Sequence, residues 1–175
     1  WLTPNRGDCA SVRGIARDLS ASLDLSLKKR KTNNKQGTFK SNIKWNLKSL
    51  KDKNDCPLIY GRHFKINKNL SSPSWLKEKL ESVGLKSISS LVDITNYILY
   101  DIGRPLHVFD ASKIIGDLVV TSLNEEEKFI GLDKKEYILC KGDIVIKDEK
   151  KIVSLAGIMG GLNSCVDENT KDVFL

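Results

Sequence analysis

The side chains best suited to chemistry in this sequence lie in residues 91–110, which read LVDITNYILYDIGRPLHVFD. The pair Thr95-Asn96, a Gly-x-Pro turn and His107 follow one another there, and Asp110 closes the stretch. Imidazole changes its charge near neutral pH, and with hydroxyl and amide groups nearby it could position a water molecule or a substrate hydroxyl. Because polar groups are costly to place among Val, Ile and Leu without partners, we expect the functional site here.

The same residues also have structural interpretations. A single histidine is more often a hydrogen-bonded structural group than a catalyst. Thr95-Asn96 lies off the apolar face of its predicted helix and could look into a cleft, or could be a surface pair that bonds the local backbone. The glycines of LAGIMGG, Gly157 and Gly160-Gly161, predict tight backbone that another group can approach. This segment has neither a P-loop nor a GxGxxG motif, so it predicts no nucleotide site.

A helix is predicted near the start of the chain, followed by a linker. Asp8 is expected to cap this helix, which runs to about Ser22. Its apolar face holds Val12, Ile15, Ala16, Leu19 and Leu23. Residues 28–42 are basic, nearly free of apolar side chains and without periodicity, which indicates a flexible linker.

Two further helices precede and include the polar stretch. Pro73 is expected in the first turn of a helix that continues through Val83 and stops at Gly84. The next helix covers Ser90–Ile102 and ends at Gly103. The face of that helix expected to meet the core holds Leu91, Ile94, Ile98 and Ile102.

The rest of the chain is predicted to be rich in strands. The predicted strands are 57–64, 118–123, 128–132, 137–139, Ile144–Lys147 and Ile152–Leu155, and Asp172 to Leu175 also reads as a strand. Asp148-Glu149-Lys150 is a plausible hairpin turn between two of them. Strands that cluster after helices without strict alternation favour an α+β fold, with a mixed or antiparallel sheet flanked by helices.

Charge is distributed unevenly along the sequence. The net charge is +7, and the excess of Lys and Arg lies in the first 72 residues. A basic segment can attract the phosphate backbone of RNA, but a biased base composition would also produce it, so the charge leaves RNA contact open.

The cysteines and histidines predict no zinc site. Cys9, Cys56, Cys140 and Cys165 are far apart, and neither histidine has a partner at metal-ligand spacing. We expect four reduced and mainly buried cysteines in a cytoplasmic protein, since no signal peptide and no apolar run of about 20 residues is present. The absence of an initiator Met and the strand-like end suggest a piece of a longer chain.

An ordered set of sequence blocks resembles the β subunit of bacterial phenylalanyl-tRNA synthetases. The blocks are LTPNRGDCASVRGIARDL, CPLIYGR, SPSWLKEKLESVGLKSISSLVDITNYILYDIGRPLHVFD, LDKKEY, GDIVI and LAGIMGG, in family order and spacing. The resemblance divides the chain into a helical core segment, 1–27, the basic linker, 28–42, and a C-terminally truncated B3/B4 editing domain, 43–175.

The resemblance implies a function in translation. In this family the B3/B4 region hydrolyses tyrosine wrongly attached to tRNA(Phe), while the α subunit carries the catalytic module that uses ATP and magnesium. The expected partners are the α subunit, in a heterotetramer, and tRNA(Phe). The resemblance implies no cofactor and no metal within this segment.

The resemblance also assigns roles to single residues. His107 matches the editing histidine, which orients water or the terminal ribose, and Thr95 and Asn96 match polar residues lining the pocket. Gly160 matches a glycine that keeps the pocket open. Lys86 stands where many relatives have Arg, so charge is kept while the bidentate fork is lost.

Two departures from the family limit these expectations. Ser89-Ser90 replaces a common Asn-Asn pair, and the chain ends at Leu175, before a family Glu that recognises the tyrosine hydroxyl. We therefore expect the isolated fragment to be inactive in editing. A non-catalytic structural or RNA-binding module and a free-standing trans-editing protein remain alternatives, although the LTPNR block argues against the second.

Overall fold

A computed structural model describes residues 2–33, 35–47 and 55–175 and confirms an α+β fold. Within these residues the α-helices are α1 Val12–Ser22, α2 Ser74–Glu81 and α3 Ser90–Ile102. Short 3-10 helices cover Gly7–Cys9, Ala111–Lys113 and Leu162–Ser164. The strands are β1 Trp45–Asn46, β2 His63–Lys65, β3 Phe109–Asp110, β4 Leu118–Ser122, β5 Glu127–Ile130, β6 Glu136–Leu139, β7 Ile144–Lys147, β8 Ile152–Leu155, β9 Met159–Gly160 and β10 Asp172–Phe174.

The chain folds as two compact units, each built from two segments. The helical unit contains the described residues of Trp1–Phe39 and Leu70–Leu106, and the strand unit contains those of Lys40–Asn69 and His107–Leu175. The three α-helices named above belong to the first unit and the ten strands to the second. No α-helix of the described residues is long and apolar enough to cross a membrane.

Helix α1 begins later than predicted and packs through a different face. Its N-cap is Ser11, whose Oγ accepts the N–H of Gly14 at 2.9 Å, while Asp8 lies in the preceding 3-10 turn, so the predicted Asp8 cap is wrong. Gly14 is the buried residue of the helix, and a Cβ there would come within 2.7 Å of the Cα of Cys9. The predicted apolar face stays open: Val12 is 63% and Leu19 54% exposed.

Helix α3 ends at a glycine, Gly103, as predicted, whereas α2 ends at Glu81, before the predicted stop at Gly84. Gly84 and Gly103 have φ values of +82° and +71°, in the left-handed region that glycine adopts without steric cost. α2 is shorter than expected, because Pro73 is its N-cap and Glu81 its last residue. The bounds of α3 agree with the prediction.

The buried face of α3 is polar, so the prediction of an apolar core face is wrong. Ile94 is 47% and Ile102 36% exposed, while Asp93 is fully buried and Thr95 is 8% exposed. Hydrogen bonds to Asp93 from outside the helix make this arrangement possible, since a buried carboxylate is tolerated only where its oxygens have partners.

Three sheets form the strand unit. The five-stranded sheet has the order β1-β4-β7-β8-β9, with β1 parallel to β4 and the other pairs antiparallel. The predicted turn Asp148-Glu149-Lys150 connects β7 and β8, and Asp148 Oδ1 accepts the N–H of Lys150 at 2.8 Å. The second sheet has the order β2-β10-β3, and β5 pairs with β6.

The strand predicted at 57–64 is wrong in length. Only His63–Lys65 forms a strand, β2, and each of its residues pairs with one residue of β10, itself Asp172–Phe174. A strand extends only as far as its partner does, and Pro57 at the start of the predicted range has no N–H to donate. The strand predicted at the end of the chain is confirmed as β10.

Two apolar clusters hold the strand unit together. The first contains Ile43, Phe109, Ala111, Ile114, Leu118, Val153 and Phe174, and the second Leu123, Phe129, Leu139, Val145 and Ile152. Full burial of each large side chain contributes about 1.5–3 kcal/mol to folding. The first cluster joins β3 to β8, which are the strands that lead to His107 and Gly160.

Candidate functional site

His107 lies in the segment that leads into β3, where the backbone is held firmly. The two residues of that strand, Phe109 and Asp110, are 2% and 3% exposed. Asp110 Oδ1 accepts the N–H of Ser112 at 3.0 Å, and its Oδ2 accepts the hydroxyl of Thr170 at 2.7 Å. The carboxylate thus fixes the chain directly after the histidine.

The imidazole of His107 packs directly against Gly160. A Cβ added to Gly160 would come within 2.6 Å of His107 Nε2 and closer still to Cε1. Gly160 lies in β9 opposite Ser154 of β8, and Ser154 Oγ donates to the carbonyl of Met159 at 3.0 Å. The hairpin therefore holds the glycine rigidly under the ring, and no other residue type fits there without movement.

Backbone hydrogen bonds pin the glycines around this contact. The Gly161 N–H donates to the carbonyl of Val153 at 2.7 Å, and the Leu132 N–H donates to the carbonyl of Gly160 at 3.1 Å. Gly161 also forms an isolated bridge with Gly131. The predicted close approach is confirmed at Gly160, which meets the His107 ring, and at Gly161, which meets the carbonyl of Val153, whereas a Cβ at Gly157 would meet nothing within 4 Å.

The imidazole of His107 has a lowered pKa and a ring nitrogen without a hydrogen-bond partner among the described residues. Burial lowers the pKa of its imidazole below the usual 6.5, because a charged ring loses solvation. Its Nε2 is buried and has no hydrogen-bond partner among the described residues. A neutral ring nitrogen in this state can bond a water molecule, a hydroxyl or a carbonyl group.

The other predicted site residues belong to the helical unit. Thr95 is buried, and its Oγ1 donates to the carbonyl of Val92 at 2.7 Å. A bond of this kind to the local backbone was one of the two interpretations of Thr95 from the sequence. Asn96 is partly exposed and Lys86 is exposed. The strand unit thus brings His107 and Gly160 together, whereas Thr95, Asn96 and Lys86 lie in the other unit.

Asp93 is the central polar residue of α3. Sequence reasoning missed this role, because the sequence shows only that Asp93 lies in the polar stretch 91–110 and not which groups it bonds. Its Oδ2 accepts the hydroxyls of Ser72 and Ser87, each at 2.5 Å, and its Oδ1 accepts the N–H of Ile88 at 2.9 Å. Burial alone would raise the pKa of this carboxyl, but the hydrogen bonds from Ile88, Ser72 and Ser87 together hold it below the usual value. The carboxylate therefore ties three segments of the helical unit together.

Residues 55–175 match the family model of the B3/4 domain. The chain belongs to the B3/4 domain family. It is 50% identical over 174 residues to a phenylalanine–tRNA ligase β subunit of Gluconobacter oxydans and 49% identical over 175 residues to one of Paramagnetospirillum magneticum. These matches cover 99% of the chain but 21% and 22% of the relatives, so the chain spans about a fifth of their length.

The fold of this B3/4 protein also resembles a solved structure. An N-terminal fragment of the phenylalanyl-tRNA synthetase β subunit from Pyrococcus horikoshii matches with a TM-score of 0.51 and 21% identity, over 97% of this chain and 51% of that one. At this identity the match concerns the fold alone. The predicted resemblance to phenylalanyl-tRNA synthetase β subunits is confirmed by the relatives of higher identity.

A second polar cluster of this B3/4 protein lies outside the family match, in the helical unit. The ligand atoms of Asp8, Cys9 and Asp18 lie within 4.8 Å of one another. Two arginines neutralise the carboxylates: Arg6 pairs with Asp18 at 2.5 Å, and Arg17 pairs with Asp8. The hydrogen bond from Arg6 lowers the pKa of Asp8 to about 2. These side chains form an ion-pair network around Cys9.

The four cysteines have free thiols but are not uniformly buried. Cys9 is buried, Cys56 and Cys165 are partly buried, and Cys140 is exposed, so the expectation of buried cysteines is wrong for Cys140. The thiol of Cys9 donates to Asp18 at 3.1 Å, and this bond, followed by burial, raises its pKa. A raised pKa disfavours the reactive thiolate.

Proposed function

We propose that this chain is part of the β subunit of a phenylalanine–tRNA ligase and contributes a site that hydrolyses tyrosyl-tRNA(Phe). The contact between His107 and Gly160 is the observation that carries the proposal. The family resemblance assigns both residues to one pocket although they are far apart in the sequence. The curated relatives named above are phenylalanine–tRNA ligase β subunits.

The chemistry of the amino acids explains why such a site would be needed. A pocket that binds phenylalanine cannot strongly reject tyrosine, which differs only by an added hydroxyl. A second site that hydrolyses the wrong ester restores accuracy. Its requirements are a positioned water molecule and a held ester, with little covalent chemistry.

His107 and Gly160 have complementary roles in the proposed reaction. A neutral imidazole with a free Nε2 would orient the attacking water or the terminal ribose hydroxyl. The resemblance gives Gly160 the role of keeping the pocket open; in this structure the space beside its Cα is taken by the histidine ring, which any side chain there would meet. The resemblance also assigns Thr95, Asn96 and Lys86 to the editing reaction, and these residues belong to the helical unit.

The proposed partners are those of the complete ligase. The α subunit would join this β subunit in a cytoplasmic heterotetramer and use ATP and magnesium for aminoacylation. The substrate of the proposed site is the aminoacylated end of tRNA(Phe). We place these cofactors outside this chain, whose proposed reaction is a hydrolysis that uses water.

The test compares two histidine variants of the complete ligase that contains this chain. His107→Gln should lower the rate of tyrosyl-tRNA(Phe) hydrolysis by about 10²-fold or more, as loss of a positioning acid or base does. His63→Gln removes the other histidine of the chain and serves as the matched control. Aminoacylation with phenylalanine should be unchanged in both. Equal rates of hydrolysis by His107→Gln and wild type would contradict the proposal and favour a non-catalytic structural role for this chain.

A further inference from the structure

The ring of Phe109 lies against the ring of His107. Their centroids are 4.4 Å apart and their planes meet at 79°, which is the edge-to-face arrangement that aromatic rings favour. Residues two apart in extended backbone project to the same side, so the segment entering β3 places both rings together. The contact with Phe109 therefore comes from the histidine's own segment, whereas the contact with Gly160 comes from the β8–β9 hairpin.

Phe109 is itself fixed. Its side chain is 2% exposed and belongs to the apolar cluster that includes Leu118 and Val153. Its backbone pairs with Phe174 of β10, and the next residue, Asp110, is held by Thr170. Closely packed interiors leave such a ring little room to move. It is therefore a rigid surface for the imidazole that packs on it.

The two contacts define where the imidazole can point. Gly160 lies against the Cε1–Nε2 edge of His107, and the ring of Phe109 restrains the plane of the imidazole. Nε2, which is buried and has no partner among the described residues, is the ring nitrogen that these contacts position.

We propose that Phe109 is a positioning residue for His107: the buried ring of Phe109 sets the plane of the imidazole, so that its Cε1–Nε2 edge stays against Gly160. The orientation is a property of the fold. The consequence for catalysis rests on the proposed editing function. Phe109 itself touches no substrate in this scheme and acts through the histidine.

Phe174 provides a matched control, because it is equally buried in the same cluster. It is also 2% exposed and pairs with Phe109 across the sheet. Its ring, however, lies 6.3 Å from the ring of His63, in a similar edge arrangement. Phe109→Leu and Phe174→Leu therefore remove comparable core volume, but each removes an aromatic ring from a different histidine.

The first experiment is NMR of the histidine ring protons in the 175-residue chain. The chain has two histidines, so each variant gives two sets of signals, assigned with His63→Gln. Phe109→Leu should shift the His107 signals toward values of an unstructured peptide and raise the pKa of His107 toward its usual value, because water gains access to the ring. Phe174→Leu should move the His63 signals and leave those of His107 unchanged.

Two results would overturn the inference. One is an unchanged His107 spectrum in Phe109→Leu; the other is an equal response of His107 to both variants, which would indicate general loosening of the core. If Phe109→Leu does not fold, Phe109→Met replaces it, since the unbranched methionine fills irregular space while lacking the ring.

The second experiment measures editing by the complete ligase. Phe109→Leu should lower kcat for tyrosyl-tRNA(Phe) hydrolysis about 10- to 100-fold with KM unchanged, because small displacements of a positioned group have effects of this size. Phe174→Leu should change kcat much less. A wild-type ligase that does not hydrolyse the substrate would refute the proposed function, while the NMR result would still decide the positioning role.

Discussion

Thr170 donates its hydroxyl to Oδ2 of Asp110 at 2.7 Å, with both residues almost fully buried. The bond joins the loop before β10 to the end of β3, directly after the segment that carries His107. Thr170→Val keeps the shape of the side chain but leaves Asp110 Oδ2 without this donor and the N–H of Asp167 without its acceptor, Thr170 Oγ1. We expect a loss of about 1–3 kcal/mol in the free energy of unfolding, measured by urea denaturation at neutral pH.

Thr121→Val is the control for this prediction. Thr121 is partly buried in β4, and its hydroxyl donates to the carbonyl of Ser122 at 3.3 Å. We expect a change within about 0.5 kcal/mol there, since strands accept Val readily. Equal effects of the two substitutions would show that the bond to Asp110 contributes nothing specific.

Gly160→Ala should displace the ring of His107. The added methyl group would come within 2.6 Å of Nε2, and the histidine cannot retreat without leaving the ring of Phe109. Overpacking of this kind costs about 1–3 kcal/mol of stability, measurable by thermal or urea unfolding. Gly7→Ala is the control, because a Cβ there meets nothing within 4 Å. A neutral Gly160→Ala would mean that the hairpin adapts and that the glycine is not required.

Local sequence patterns correctly predicted the helices and strands whose ends are set by residues close to them in the sequence. The bounds of α3, β7 and β8 follow from apolar periodicity, a glycine stop and a turn-forming Asp148, all of which act within a few residues. The short strand β2 could not be bounded in this way, because its length is set by β10, at the far end of the chain.

Residue types alone placed the candidate site near residues 91–110, but the pairing of His107 with Gly160 was predictable only through resemblance. The sequence places His107 and Gly160 far apart, and their contact depends on how β3 and the β8–β9 hairpin meet in the fold. The polar face of α3 was predicted wrongly because the partners of Asp93 come from segments outside the helix. Periodicity records which residues share a face, but it does not record what that face meets.

Gly14→Ala should destabilise the chain although it improves helix propensity. Alanine in place of glycine within a helix favours folding by about 1 kcal/mol in isolation. At Gly14 the new Cβ would lie 2.7 Å from the Cα of Cys9 and closer to the carbonyl of Asp8, both backbone atoms. We expect a net loss of about 1–3 kcal/mol by urea denaturation. Ser22→Ala, at the exposed last residue of the same helix, should be nearly neutral, and a stabilised Gly14→Ala would contradict the tight packing of α1.

Asp93 should make the stability of the helical unit depend on acid pH. Hydrogen bonds hold its folded pKa below the usual 3.8, so the folded state binds this proton less readily than the unfolded state. Its contribution is therefore complete above pH 3.8 and is lost as the pH falls through the lower, folded pKa. Asp93→Asn should reduce the free energy of unfolding by about 1.5–3 kcal/mol at pH 7, since three donors lose a charged acceptor.

The measurement is urea denaturation of wild type and Asp93→Asn between pH 7 and pH 2. The difference in the free energy of unfolding between the two proteins should be constant at the upper end of this pH range. It should shrink at the lower end, because a protonated Asp93 is uncharged like Asn. Asp101→Asn removes the same charge from α3 at a surface ion pair with Arg30 and should show a much smaller difference at pH 7. A difference for Asp93→Asn that does not vary with pH would show that its carboxylate charge is not what holds Ser72, Ser87 and Ile88 around the helix.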